Sequence, residues 1–487
     1  MIMTLDNFIA LLPALILAAG ALGIMLLAAW NRPHGMVSRT AAIVQASAFA
    51  GVPLASAVVP RQATALLLVD EFALFYIALI LLGGIAVTVL SHGYLDAKLD
   101  RCNEYYSLLL LASLGGVVLA MSVHAASFFL GLELLSVSLY TLLSYDRENP
   151  RALEAGVKYL LLSAVASAFL LLGLALLYFL TGELTFSALR QALADDGPSR
   201  TVGLAGLALI LTGIGFKLAV VPFHMWAPDV YQGSPTPVTA FVATLSKIAV
   251  VALLLRALFH MGALNDTAVT AALSVLAVAS MFAGNLLALL QDNVKRLLAY
   301  SSIAHLGYLL VAVIAGGALG AEAVGFYVAA YMVTMLGIFG VLILLSRPYV
   351  ETERMEDLRG LMWRDPPAGA IWVIAVLSLA GVPLTAGFVI KFYVVVAGLS
   401  SDRWLLVLFF VLNSVIGLFY YLKLIRVALA RESESSARQR QAVVPRWTWS
   451  NGLVMATLIL AIVWLGVYPI PFINWIEQTT TVLVAAD

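Results

Sequence analysis

Five ionisable side chains stand inside long apolar stretches of this sequence: Glu133 in FFLGLELLSVSLY, and Lys158, Lys217, Lys247 and Lys391. An ionisable group at the centre of a bilayer costs at least about 2.5–3.5 kcal/mol, so five of them need a purpose. A lysine near a helix end can snorkel to the interface, and any of the four can hold a static ion pair. Lys247 has little room to snorkel, because it lies about twelve residues, roughly 18 Å, into its stretch. Burial disfavours the charged form of lysine and of glutamate alike, whereas closeness of the two favours both charges. If Glu133 moves away from a lysine, that lysine releases its proton to the next acceptor. His224 and His305, with waters held by carbonyls freed in broken helices, offer such acceptors. Glu133, Lys158, Lys217, His224, Lys247, His305 and Lys391 therefore read as a proton relay.

Other chemistry has little support. The single cysteine, Cys102, excludes an internal disulfide, a CxxC redox pair and a thiolate-held iron–sulfur cluster. The six histidines are scattered, with no i, i+4 pair for a metal. There is no nucleophile elbow and no phosphate loop, so no cofactor or metal is expected in this chain. Lys and Arg total 27 and Asp and Glu total 27, leaving no global field to attract nucleic acid.

The elements that must position these groups follow from composition. Of 487 residues 62% are hydrophobic and 11% charged, and the mean hydropathy is +1.01. A soluble protein of this size carries roughly 25% charged residues, and this chain cannot cover a core with its polar surface. The expectation is an all-α polytopic membrane protein. Stretches of about 20 apolar residues fall at 7–29, 38–58, 70–91, 105–122, 125–144, 152–180, 202–222, 235–259, 268–290, 297–315, 322–345, 368–398, 403–429 and 451–475, about 14 transmembrane helices. The first has no positive residue before it and exceeds a signal peptide's apolar core, so it reads as a retained helix with its N-terminus outside. On that topology the inside loops hold 18 Lys and Arg residues and the outside loops five, as the positive-inside rule requires. Asp292, Lys295 and Arg296 read as a solvated inside cluster, and Arg256 as an outside charge.

Two predicted helices are interrupted. Helix 7, TGIGFKLAVVPFHMWAPDVYQGSPTPVTAFVATLSK, contains Pro222, Pro228, Pro235 and Pro237, and helix 12 contains Gly381, Pro383 and Gly387. Each proline removes a donor and frees a carbonyl, which is tolerated in a membrane only inside protein or beside a hydrated cavity. Helices 4–8 and 9–13 form two groups of five, each with a broken fourth member. Five is odd, so the second group enters from the opposite side, giving two inverted five-helix repeats as in secondary transporters. The expected division is 1–104, three N-terminal helices; 105–260, the first repeat; 268–429, the second; and 430–487, an inside loop with a C-terminal helix that returns the C-terminus outside.

These residues, together with GFKLAVVPFHMWAPDVYQGSPTPV, LSK around Lys247 and NVKRLLAYSSIAHLGY, resemble the antiporter-like membrane subunits of respiratory NADH:quinone oxidoreductase (complex I) and of Mrp-type Na⁺/H⁺ antiporters. The resemblance covers about residues 105–430. The chain lacks the long C-terminal extension of the L-type branch, and Lys391 stands where the M-type branch has a glutamate. With EAGVKYLLLSAVASAFLLLG, these features look most like the N-type branch, whose mitochondrial counterpart is subunit 2.

The resemblance implies a modulating pair of Glu133 and Lys217, a central transfer lysine at Lys247, and an outward step through Lys391. His224 and His305 would assist through water, and Lys158 would stand near the inside entrance. It also implies no flavin, iron–sulfur cluster or nicotinamide in this chain. FMN, iron–sulfur clusters and quinone would lie elsewhere in a complex whose M-type and K-type subunits and lipids are neighbours, in a bacterial inner membrane. Two other readings stay open. An Mrp-type cation/proton antiporter subunit would need additional carboxylates or carbonyls to bind sodium, and only Glu133 is a deep carboxylate, with Asp229 at the helix 7 break. A scaffold that has lost pumping would gain by replacing its buried charges with apolar residues.

Overall fold

The computed structural model describes residues 4–99, 102–188, 190, 197–346, 351–431 and 447–484. Arg101, Arg347, Arg438, Arg440 and Arg446 of the charge census, and most of the loop expected after residue 430, lie outside the described residues. The chain opens with α1 (Leu5–Ala10), α2 (Leu12–Ala29) and α3 (His34–Ser56), then α4 (Glu71–Lys98), α5 (Glu104–Met121), α6 (Ala125–Leu143) and α7 (Pro150–Thr181). The middle of the chain forms α8 (Pro198–Leu218), α9 (Trp226–Gly233), α10 (Thr236–Ala243), α11 (Leu245–His260), α12 (Thr267–Leu289), α13 (Val294–Ala315) and α14 (Gly317–Leu345). It closes with α15 (Pro366–Ala380), α16 (Ala386–Ser400), α17 (Trp404–Leu429), α18 (Trp449–Val467) and α19 (Ile470–Val484).

Twelve of these helices, taking α10 and α11 as one, are long and apolar enough to cross a membrane. The stretch expected at 38–58 forms α3, 23 residues long but diluted by Ser38, Arg39, Thr40 and Gln45. The stretch expected at 368–398 is two helices of 15 residues each, α15 and α16. Many starts are set by side chains that satisfy the first free N–H groups. Asp70 accepts from Ala73 N at 2.8 Å, Asp266 from Ala268 N at 2.8 Å, and Asn293 from Arg296 N at 3.0 Å.

Apolar side chains gain little by moving from lipid to a helix interface, so close packing through small residues does the joining. A Cβ on Gly115 of α5 would meet Leu135 N of α6 at 2.6 Å. One on Gly284 of α12 would meet Ala304 N of α13 at 2.5 Å. At the centre stand α4, α10–α11, α13 and α14; the spans of α10–α11 and α14 are 100% buried, against 28% for α2 and α18.

The breaks fall where the prolines predict, with one addition. After α8, Ala219 takes a left-handed conformation (φ 58) and residues 220–225 turn into α9. After α15, Gly381 (φ 80) and Leu384 (φ 71) do the same before α16. A non-glycine residue there costs about 1–2 kcal/mol, so both breaks store strain. The stretch expected as one helix at 235–259 is interrupted at Thr244 (φ −121, ψ −78), one turn before Lys247. Thr-Leu-Ser carries no proline or glycine, and nothing in its sequence marks this hinge.

Two further expectations are corrected. The terminal helix expected to run to 475 stops at Val467. Pro469 follows, and α19 then lays Phe472, Trp475 and Ile476 against Phe75 of α4 and Phe326 and Gly325 of α14. The chain is also not purely helical, since Arg61–Gln62 pairs with Leu68–Val69 as two short antiparallel strands.

Candidate functional site

Lys217 occupies the last turn of α8, where the helix end favours a cation. Its side chain is 3% exposed, and its ammonium donates to Ser136 Oγ of α6 and Ser163 Oγ of α7, both at 2.6 Å. The Tyr159 ring lies 5.3 Å away, and Tyr140 also donates to Ser163, at 2.8 Å. Glu133 accepts instead from Ser167 Oγ of α7, at 2.6 Å. Ser136 is one turn along α6 from Glu133, and Ser163 one turn along α7 from Ser167. Glu133 and Lys217 thus each bond to serines of α6 and α7 rather than to one another.

Lys158, expected inside a helix with the other deep lysines, is 41% exposed and lies in a charged cluster at one end of α7. Its ammonium meets Asp229 at 2.7 Å and Glu154 at 2.6 Å, and Arg296 meets the other Asp229 oxygen at 2.6 Å. A cavity of about 170 Å³, lined also by Gln232 and Gly233, opens there.

Lys247 is 3% exposed. Its ammonium donates to Ser302 of α13, which also accepts from Tyr331 OH of α14 at 2.6 Å, and the Tyr231 ring lies 5.8 Å away. His305, one turn beyond Ser302, is bonded by both ring nitrogens, to Tyr327 OH at 2.6 Å and Tyr421 OH at 3.0 Å. Tyr421 also meets Ser301, and its neighbour Tyr420 donates to Asn285 Oδ1 at 2.9 Å. Asn285 then donates to Tyr308 OH at 2.8 Å and Asn413 Oδ1 at 3.2 Å. Lys391, in α16, donates to Ala380 O at 2.6 Å, a carbonyl freed by the break, and to Ser414 Oγ at 2.6 Å. Asn413 and Ser414 adjoin on α17, so a partner of Asn285 stands next in the chain to a partner of Lys391. The hydroxyls and the imidazole of this lattice can accept one proton while passing on another, and the amides hold them in place.

His224 stands in the turn between α8 and α9, 9% exposed, and its Nδ1 has no hydrogen-bond partner among the described residues. It is not bonded to either neighbouring lysine. Among the described residues no three His, Cys, Asp or Glu side chains converge as metal ligands would.

Two charges read as solvated are buried. Lys295 is fully buried at the start of α13 and donates to Ser234 O at 2.7 Å. Beside it Glu351 accepts from Lys98, Tyr94 and Thr236. Burial alone would raise the Glu351 carboxyl, but the charges of Lys295 and Lys98 and these bonds hold it down to about 2. Arg256 is 0% exposed and pairs in bidentate fashion with Asp70, at 2.7 and 2.8 Å, above the Phe72 ring. Its setting inside the apolar run ALLLRALF is the signal the sequence offers. The tyrosines and serines of the lattice carried none, because hydroxyls are common in membrane helices.

Residues 122–417 match the family model described as NADH:quinone oxidoreductase/Mrp antiporter, TM. A curated relative, NADH-quinone oxidoreductase subunit N of Ectopseudomonas mendocina, is 43% identical over 489 aligned residues, covering 99% of this chain and 98% of the relative. A chain of respiratory complex I from Thermus thermophilus, solved with bound aureothin, is 33% identical with a TM-score of 0.81, over 95% of this chain and 98% of that one. A chain of the Mrp complex from Dietzia sp. shares the fold, with a TM-score of 0.86 over 99% and 98% of the two chains at 22% identity.

Proposed function

The chain belongs to the NADH:quinone oxidoreductase/Mrp antiporter transmembrane family, in its subunit N branch, and on that premise we propose that it is a membrane-arm subunit of a bacterial NADH:quinone oxidoreductase that moves protons through its buried lysines. One observation carries the reading. Lys217, Lys247 and Lys391 each hold their ammonium against serine hydroxyls rather than a carboxylate. A hydroxyl accepts from an ammonium and donates to a free amine, so it hosts both protonation states, where a carboxylate would fix the charged one.

In this reading Glu133 biases Lys217 across the intervening serines, and the proton passes to Lys247 and then by way of Ser302, His305 and the tyrosine lattice toward Lys391. Lys158, in its cluster with Asp229, gathers protons at the inside end, and His224 acts through water at the first break. α3 and the α15–α16 pair supply the two crossings beyond the twelve, giving fourteen and both termini outside. The matching left-handed breaks at Ala219 and Leu384, one in each group of five, support two inverted repeats at 105–260 and 268–429. Moving a charge against the membrane costs about 2.3 kcal/mol per 100 mV, so the driving energy comes from quinone reduction in neighbouring subunits, where FMN and iron–sulfur clusters also reside. M-type and K-type subunits and lipids are the expected neighbours. The 43% identity to a subunit N relative favours this reading over an Mrp antiporter.

The test is Lys247→Ala in the assembled complex. NADH-driven proton uptake into vesicles should fall at least tenfold with the complex intact, and normal pumping would sink the relay.

A further inference from the structure

The Asp70–Arg256 pair is the most deeply enclosed charge pair among the described residues, with side chains 2% and 0% exposed. An enclosed pair is a poor source of stability, because well-packed apolar residues commonly do as well or better. What it does supply is register. Arg256 stands nine residues, about 13.5 Å, along α11 from Lys247. Asp70 begins α4, so the pair ties the outer half of the lysine's helix to that post. The other end of the same broken helix is tied to α4 as well: Glu351 joins Tyr94 and Lys98 of α4 to Thr236, the first residue of α10. Between the two ties lie the Thr244 break and, one turn on, Lys247.

We propose that Asp70 and Arg256 are positioning residues for Lys247: the pair pins the outer half of its helix to α4, and Asp70 cancels a positive charge that the lysine would otherwise face along its own helix. The inference rests on Lys247 being a proton carrier. With both ends held, displacement of Lys247 is confined to the Thr244 hinge, so the ammonium swings relative to Ser302 and Tyr231 while the helix stays in place. The other groups that face the pair are Tyr76 on α4 and His260 on α11. Those that face Lys247 are Tyr231 on α9, Tyr331 on α14 and, one turn past Ser302, His305 on α13. α5, α6, α8 and α19, which also pack on α11, bring Glu104, Tyr105 and Tyr106 at the start of α5, Glu133 and Lys217, both engaged with serines, and Glu477.

The experiment is the pH profile of NADH-driven pumping by the assembled complex in vesicles, for the parent, Asp70→Asn, Asp70→Glu and the double variant Asp70→Asn with Arg256→Gln. Asp70→Asn leaves an uncompensated cation, and at an effective dielectric of about 20 this should move the profile to lower pH by about one unit. Asp70→Glu, which keeps the charge, and the double variant, which removes both charges, should stay at the parent's position. If Asp70→Asn does not assemble, Arg256→Gln reads the pair from its other side. It leaves a carboxylate that is either charged or protonated, so its profile must stand at the parent's position or above it. An unmoved profile in assembled Asp70→Asn, a double variant displaced like the single one, or Arg256→Gln below the parent would each overturn the proposal. Lys247→Ala separates the two levels: normal pumping there overturns the relay, whereas impaired pumping beside an unmoved Asp70→Asn profile overturns only this inference.

Discussion

The buried and half-buried cations of this protein fall into two kinds, and the contrast separates fixed charges from those whose surroundings suit either protonation state. Lys98, Lys295 and Arg256 face carboxylates: Glu351 for the two lysines and Asp70 for the arginine. Lys217, Lys247 and Lys391 face serines, aromatic rings and one free carbonyl. Low dielectric makes a carboxylate partner decisive, since removing either member strands a charge, and such sites hold one state. A hydroxyl partner costs little to either state of the amine. The first kind acts as a set of rivets, and the second is able to change.

The contrast can be broken most forcefully at Glu351. Replacing it with alanine leaves Lys98 and Lys295 without their shared anion and should cost about 3–5 kcal/mol, read as loss of the chain from the assembled complex. A Glu351→Ala complex as heat-stable as the parent would remove it from the first kind. Acid should act on the same rivet. Because its folded value is depressed to about 2 from about 4.5, its stabilisation is present above pH 4.5 and drains away as pH falls toward 2. Thermal midpoints across that window should drop more steeply for the parent than for Glu351→Gln.

Lys217→Ala sharpens the other side. It should reduce pumping tenfold or more while shifting the thermal midpoint little, since Ser136 keeps its bond to Leu132 O at 2.6 Å. Loss of stability comparable to Glu351→Ala would place Lys217 among the rivets. The smallest effect belongs to Ser302→Ala, expected to slow pumping a few-fold, equivalent to a hydrogen bond of about 1 kcal/mol, with Ser302→Thr restoring it. Equal rates in Ser302→Ala would show that the hydroxyl does not host the proton.

Much of this arrangement was legible in the residues. Apolar run length located the twelve helices long and apolar enough to cross a membrane, prolines located the breaks after α8 and α15, and isolated charges in apolar runs marked the buried Lys217 and Lys247. The rest depended on information a single stretch does not carry. Lys295 looks solvated in QDNVKRLL until Ser234 and Glu351 close over it from other segments. Thr244 interrupts a helix with no residue that forbids one. Tyr327, Tyr331 and Tyr421 gather around His305 only because two helices, α14 and α17, present them to α13. For Lys295 and the tyrosines around His305, the convergence of distant segments rather than local preference decides.

The glycine seams bear on biogenesis. α5 and α6 are separated by residues 122–124, and α12 and α13 by residues 290–293. Each couple can therefore zip together within the membrane as soon as its second member leaves the translocon, without waiting for any distant segment, and contacts so local form quickly. The nascent chain then carries two preassembled hairpins around which later segments gather. A bulky side chain at Gly115 or Gly284 would accordingly injure the order of assembly itself, and its victims would be chains degraded before they joined a complex.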